Sequence, residues 1–140
     1  MTWSTDNIDQ DPRFRDSAGG DLSLLADSPC LDIGDAGALE PDSSDLDDDG
    51  DVNETIPVDH ADADRVAGCN LDLGALEFQS GSAGSGDFDG GGLSHTDVPF
   101  FVSALLNAEA PTSCIADMNS DGSVDGLDAA AFVTALIQRF

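Results

Sequence analysis

Ten residues, DVPFFVSALL at 97–106, return thirty-one positions later as DAAAFVTALI at 128–137, and each copy follows an acidic loop containing glycine. The apolar residues of each copy fall at i, i+3, i+4 and i+7: Val98, Phe101, Val102 and Leu105, then Ala129, Phe132, Val133 and Leu136. That spacing draws one apolar stripe along a helix. Asp97 and Asp128 stand where a helix N-cap belongs, Pro99 sits in a first turn where its missing N–H is tolerated, and Pro111 closes the first helical region. A short amphipathic helix cannot bury its stripe alone, so the repeat predicts two helices packed on one another.

The loops in front of these helices carry oxygen ligands at a spacing that suits a hard cation. A calcium loop of the EF-hand kind takes ligands from positions 1, 3, 5, 7, 9 and 12, with glycine at 6 for the sharp turn. Counting from Asp117, the residues Asp117, Asn119, Asp121, Ser123, Asp125 and Asp128 fill every ligand position and Gly122 takes the sixth. Position 7 ligates through its carbonyl, so Ser123 serves there, and Val124 supplies the apolar residue at position 8. Four converging carboxylates would repel one another strongly without a cation.

The loop at 87–97 is one residue shorter. With the gap at position 7, Asp87, Asp89, Ser94 and Asp97 occupy positions 1, 3, 9 and 12, while Gly91 replaces the fifth ligand. Affinity follows ligand count and charge, so a weak, distorted or empty site is expected. His95 beside it reads as an exposed loop residue. A third acidic run, DLDDDGDVNE at 45–54, repeats the register at Asp45, Asp47 and Asp49 before Gly50, with Asp51 and Glu54 beyond. No helical stripe follows, because Ile56 and Pro57 come next, and a calcium-stabilised loop is the expectation.

Charge narrows the partners. Asp and Glu number 29 against four arginines and no lysine, a formal charge of −25 on 140 residues. Such a field repels nucleic-acid phosphates and anionic membrane surfaces and draws in cations. No nucleic-acid partner is expected, and no stretch approaches the ~18 apolar residues of a membrane span, so membrane insertion is not expected either. The acidity also has a plainer reading, a halophilic surface with no specific metal. MTWSTDNIDQ at the N-terminus has neither a basic n-region nor an apolar h-region, so no secretion signal is expected there. Cys30, Cys69 and Cys114 form no zinc pattern and define no disulfide framework; small buried thiols are the first reading and a Cys30–Cys69 bridge the alternative.

Composition divides the chain at QSGSAGSG, residues 79–86, which reads as a flexible Gly/Ser linker. Before it, in residues 1–78, short apolar runs near Phe14 and at DLSLL, CLDI, DRV and LDLGALEF are separated by Gly, Pro, Asp and Ser, and read as short strands and turns. LDIGDAGALE at 31–40 and LDLGALEF at 71–78 are two versions of one phrase, which suggests stacked rungs. The expected fold is therefore small and mixed: an irregular N-terminal β segment followed by an all-α pair of calcium loop-helix motifs at 87–140.

The pair GDFDGGGLSHTDVPFFVSALL and ADMNSDGSVDGLDAAAFVTALI resembles the dockerin type I domain over residues 86–140. Dockerins are calcium-dependent interaction modules that attach polysaccharide-degrading enzymes to cohesin domains, so the resemblance implies Ca²⁺ and a cohesin-like or other cell-surface protein partner. The family reads its partner with the two residues before the last ligand, here His95 with Thr96 and Gly126 with Leu127, which are not the usual Ser/Thr pairs. Residues 1–78 resemble the closing segment of bacterial right-handed parallel β-helix proteins of the choice-of-anchor type, through NIDQDPRFRDSAGGDLSLLADSPCLDIGD and NLDLGALEF. An acidic insert at 41–66 leads to Arg65. That resemblance implies the last rungs of an extracellular or cell-surface solenoid and contact with polysaccharide through a parent protein, so that the chain is a fragment or a truncated reading frame. No Ser/His/Asp set, zinc signature or phosphate loop is visible, and His60 reads as a loop residue, so no catalysis is expected of these residues. The alternative is a fragment of a polysaccharide-active lyase or hydrolase whose catalytic coils lie outside this sequence.

Overall fold

The computed structural model describes residues 8–107 and 113–139. Their content is mixed: β1 (Phe14–Asp16) and β2 (Asp21–Leu24), then α1 (Val98–Leu106), α2 (Ser113–Ala116) and α3 (Gly126–Ile137), with 3₁₀ turns at Ala36–Ala38 and His95–Asp97.

β1 and β2 form an antiparallel hairpin with Phe14 opposite Leu24 and Asp16 opposite Asp21, irregular between the two pairs. Asp16 closes its turn by accepting the Gly19 N–H at 2.9 Å. Leu24, at the end of β2, joins Cys30 and Leu31 in a small buried cluster that Phe78 covers. Of the expected strands, CLDI, DRV and LDLGALEF form none. Their two related phrases do meet: the Gly34 N–H donates to Leu71 O at 2.7 Å and the Leu73 N–H to Cys30 O at 2.9 Å. Those bonds run in the antiparallel sense, and parallel rungs do not occur among the described residues. The cause is local, since Asp32 takes φ +56° and Gly74 φ +134°, which break an extended run. Gly34 is obligatory at the crossing, because a Cβ there would lie 2.8 Å from Leu71 O.

The larger core belongs to the C-terminal half and gathers Phe88, Leu93, Phe101, Ala104, Ile115, Ala116 and Phe132. Phe101 and Phe132, equivalent in the repeat, stack with ring centroids 4.1 Å apart, so α1 and α3 meet through matching residues. The buried stripe is narrower than expected, and Val98, Val102 and Val133 are 38%, 46% and 50% exposed. α2 is the reason: its Ile115 and Ala116, both wholly buried, occupy the middle of the core. Four residues show no periodicity, so the sequence offered no sign of α2.

Two further expectations are corrected. Asp97 holds the N-cap position of α1 but makes no capping hydrogen bond there, and Asp128 lies three residues inside the N-cap of α3. The capping side chains are Ser94, which accepts the Thr96 N–H and caps the 3₁₀ turn leading into α1, and Asp125, which accepts the Leu127 N–H and caps α3. Asp97 and Asp128 sit three residues on and reach back to the Ser94 and Asp125 N–H groups, both at 2.8 Å, completing two capping boxes. The disulfide is Cys69–Cys114, and Cys30 is a buried free thiol. Cys30 lies within the small N-terminal cluster, whereas Cys69 packs against the C-terminal core beside Cys114.

The bridge ties the N-terminal half to α2. Between the halves, the Gly81 N–H donates to Asp87 O, Gly84 to Cys114 O and Gly86 to Ile115 O, at 2.8 to 3.0 Å. Gly84 and Gly86 have φ of +71° and +69°, and a Cβ on Gly86 would lie 3.0 Å from the Phe132 ring. Pro111, expected to end the first helical region, lies outside the described residues.

Candidate metal centre

Three acidic loops share one local geometry. In each, the first aspartate accepts the N–H of the glycine five residues on: Asp45 from Gly50 at 3.0 Å, Asp87 from Gly92 at 2.9 Å, and Asp117 from Gly122 at 2.9 Å. In each, the third residue accepts the N–H two residues on: Asp47 from Asp49, Asp89 from Gly91, and Asn119 from Asp121. The fourth position is left-handed in all three, at Asp48 (φ +60°), Gly90 (φ +72°) and Ser120 (φ +58°), and so is the sixth, at Gly50, Gly92 and Gly122. The sixth position needs glycine because the turn there requires φ near +85°, where a Cβ is strained. The shorter loop rejoins the longer one beyond that glycine, with Leu93 and Val124 both packed against the C-terminal core.

A buried aspartate closes each loop. Asp42, Asp97 and Asp128 are, with Ile115, the bulkiest side chains that are fully buried. Asp97 accepts the Phe88 N–H at 2.8 Å, Asp128 the Asn119 N–H at 3.2 Å, and Asp42 the Leu46 N–H at 2.7 Å. For 87–97 this residue comes from the 3₁₀ turn that leads into α1, and for 117–128 from the first turn of α3. For 45–54 it comes from before the loop, which is why the D-x-D-x-D-G register missed Asp42.

The loops differ in how far their carboxylates converge. Asp87, Asp89 and Asp97 bring oxygens within 4.8 Å of one another, and so do Asp45, Asp47 and Asp49, and Asp42, Asp47 and Glu54. Asp87 Oδ1, Asp42 Oδ1 and Glu54 Oε1 are buried without a hydrogen-bond partner. A buried carboxylate oxygen left unpaired is costly, and a cation relieves that cost. The donor set, carboxylate oxygens, suits calcium or magnesium rather than a soft metal.

Loop 117–128, the most complete in sequence, does not draw three carboxylates together in this way. Asp125 faces the α3 N-terminus, the Asn119 amide donates to Asp121, and Asp121 accepts the Ser123 N–H. In loop 87–97 Ser94 serves as the helix cap, its hydroxyl 2.7 Å from that of Thr96, and the Thr96 hydroxyl donates to Asp89. Asp51 turns to the Asn53 N–H and stays outside the converged groups. Glu54 is held above its ordinary pKa by burial first, and then by the charges of Asp49, Asp47, Asp51 and Asp42.

A different carboxylate arrangement holds the N-terminal half. Asp72 accepts the Asp32 and Phe78 N–H groups, both at 2.7 Å, and Asp32 in turn accepts those of Cys69 and Asn70. Glu77 takes the Ala67 and Asp72 N–H groups and pairs with Arg65 at 3.1 Å. Burial raises Asp72 to about 6 and Glu77 to about 7 against these donors and Arg65. For Asp59, burial works against the charge, but the N–H groups of Glu77, Ala61 and Ala63 outweigh it and lower the pKa. Asp59, Asp72 and Glu77 thus have both oxygens engaged from within the chain.

No described helix is long and apolar enough to cross a membrane. Comparison with protein-family models, curated proteins and solved structures finds no match to this chain.

Proposed function

We propose that residues 87–140 form a calcium-dependent interaction module of the dockerin kind, following a segment that resembles the closing rungs of an extracellular β-helix protein. The observation that carries this reading is Asp87: its Oδ1 is buried and unpartnered within the converged group Asp87, Asp89 and Asp97, directly ahead of α1. Loop 117–128 has the same hydrogen-bond register ahead of α3 and a fuller ligand set in sequence, with Asp117, Asn119, Asp121, Ser123, Asp125 and Asp128 in the ligand positions. Bound calcium would neutralise these carboxylates, and the protein's own part is to hold them in place through the capping boxes at Ser94 and Asp125.

Two features support an interaction role outside the cytoplasm. Val98, Val102 and Leu106 on α1, and Leu127, Val133 and Ile137 on α3, are exposed apolar residues; Val102 and Val133 are repeat mates, as are Leu106 and Ile137. Such a surface suits a protein partner of the cohesin or cell-surface kind better than a polysaccharide, and any polysaccharide contact would come through a parent protein. The Cys69–Cys114 disulfide suits an oxidising, extracellular setting.

Calorimetric titration of calcium chloride into the chelator-stripped chain is the direct test. Saturable binding, followed by calcium-dependent capture of a cohesin module, is expected. Absence of binding up to millimolar calcium overturns the reading.

A further inference from the structure

We propose that residues 42–54 hold a divalent cation of calcium size, with Asp42, Asp47 and Glu54 as ligands and Asp45 and Asp49 contributing from the loop tip. The site shares no residue with the C-terminal loops and stands without them.

The neck of this loop is zipped shut. Asp42 N–H donates to Glu54 O at 2.8 Å, Ile56 N–H donates to Glu40 O at 3.0 Å, and Pro41 pairs antiparallel with Thr55. The pairing sets Asp42 and Glu54 face to face across the loop. Asp42 is 1% exposed, one of its oxygens is engaged by the Leu46 N–H, and the other has no partner. Glu54 Oε1 is likewise buried and unpartnered. Oxygens of both lie within 4.8 Å of one on Asp47, which also belongs to the group with Asp45 and Asp49.

Burying two acidic oxygens side by side with neither a donor nor a counter-charge is unfavourable in a folded chain. Elsewhere in this protein the buried carboxylates Asp72 and Glu77 spend both oxygens on N–H donors or Arg65. A divalent ion supplies what the Asp42 and Glu54 oxygens lack. Five acidic side chains match the six to eight oxygens that calcium takes, with carbonyls or water completing the shell. Asp42 acts as the loop's closing ligand, in the position that Asp97 and Asp128 hold for the other two loops, but delivered from the N-terminal side by the β-like neck and not by a helix.

Residue-resolved nuclear magnetic resonance of the full chain, titrated with calcium chloride after chelator treatment, tests this site apart from the others. Leu46 and Gly50 amide signals are expected to move saturably, and Asp47→Asn, an exposed change that spares the fold, to weaken their midpoint roughly tenfold or more. Asp42→Asn should do the same, and Asp47→Asn decides if the Asp42 variant does not fold. Gly92 and Gly122 report the C-terminal loops and should keep their wild-type midpoints in Asp47→Asn. If Gly92 and Gly122 fail to respond while Leu46 and Gly50 shift, the C-terminal reading falls and this site stands. Unmoved Leu46 and Gly50 signals at millimolar calcium, or midpoints unchanged in Asp47→Asn, overturn the site.

Discussion

The N-terminal network around Asp72 and Glu77 and the C-terminal loops at 87–128 are both built from acidic side chains, yet they use them in opposite ways. In the first, each buried oxygen accepts a backbone N–H or faces Arg65, so the carboxylates stand in for the regular strands that the segment lacks. In the second, the first, third and closing residues fold the loop by accepting N–H groups, and an oxygen of Asp87 is left over. Closed carboxylates act as internal struts, and open ones keep an oxygen with no partner from within the chain. The sign of a chain's charge therefore says less about its chemistry than the hydrogen-bond count of each oxygen.

The largest effect should come from cutting the join between the two regions. Cys114→Ser opens a disulfide whose cysteines are 45 residues apart, and a loss of about 4 kcal/mol in urea unfolding is expected from the chain entropy released. Glu77→Ala comes next, leaving the Ala67 and Asp72 N–H groups and Arg65 without their acceptor, at about 3 kcal/mol. The loss should be the same with calcium or with chelator. Asp87→Asn should cost little in chelator and should remove stability only when calcium is present, which places the two carboxylates on opposite sides of the comparison.

The two regions should also answer pH with opposite signs. The folded-state pKa values of Asp72 and Glu77, about 6 and about 7, stand above the unfolded values near 4. Their contribution to stability is complete below pH ~4 and is lost as pH rises toward 7. Asp72→Asn should flatten that decline in denaturation midpoints measured across the range. Calcium affinity should instead rise with pH, because ligand carboxylates must lose their protons, and the raised pKa of Glu54 extends the rise in the loop at 42–54. The smallest effect is expected at Gly122, where φ is +84° and the surroundings are open, so that Gly122→Ala costs about 1 kcal/mol in thermal unfolding through backbone strain alone. Gly126→Ala, with open space and an ordinary φ, is the neutral control.

What the chain disclosed in advance follows from the range of each interaction. The helices α1 and α3, the left-handed glycines and the loop register are local, and periodicity and spacing reported them. The packing of α1 on α3, though not the Phe101–Phe132 stack that carries it, followed from the repeat. The burial of Ile115 and Ala116 in α2, the Cys69–Cys114 bridge and the burial of Asp42 all depend on residues outside their own local segments, and no local pattern encodes them. The N-terminal phrases around Asp32 and Asp72 were recognisable as a pair, but not that their carboxylates would take over the hydrogen bonding of strands. Convergence of ligands was the least legible property, because ligand spacing alone favoured 117–128 while the three-dimensional arrangement gathers 87–97 and 42–54.

Far-ultraviolet circular dichroism of the chelator-stripped chain, titrated with calcium chloride at constant ionic strength, bears most directly on the claim that open carboxylates are ligands. A saturable gain in helical signal, reversed by chelator and weakened by Asp87→Asn, is the predicted result. A spectrum that ignores calcium and follows only sodium chloride would contradict it, and would make the acidity a property of a salt-adapted surface.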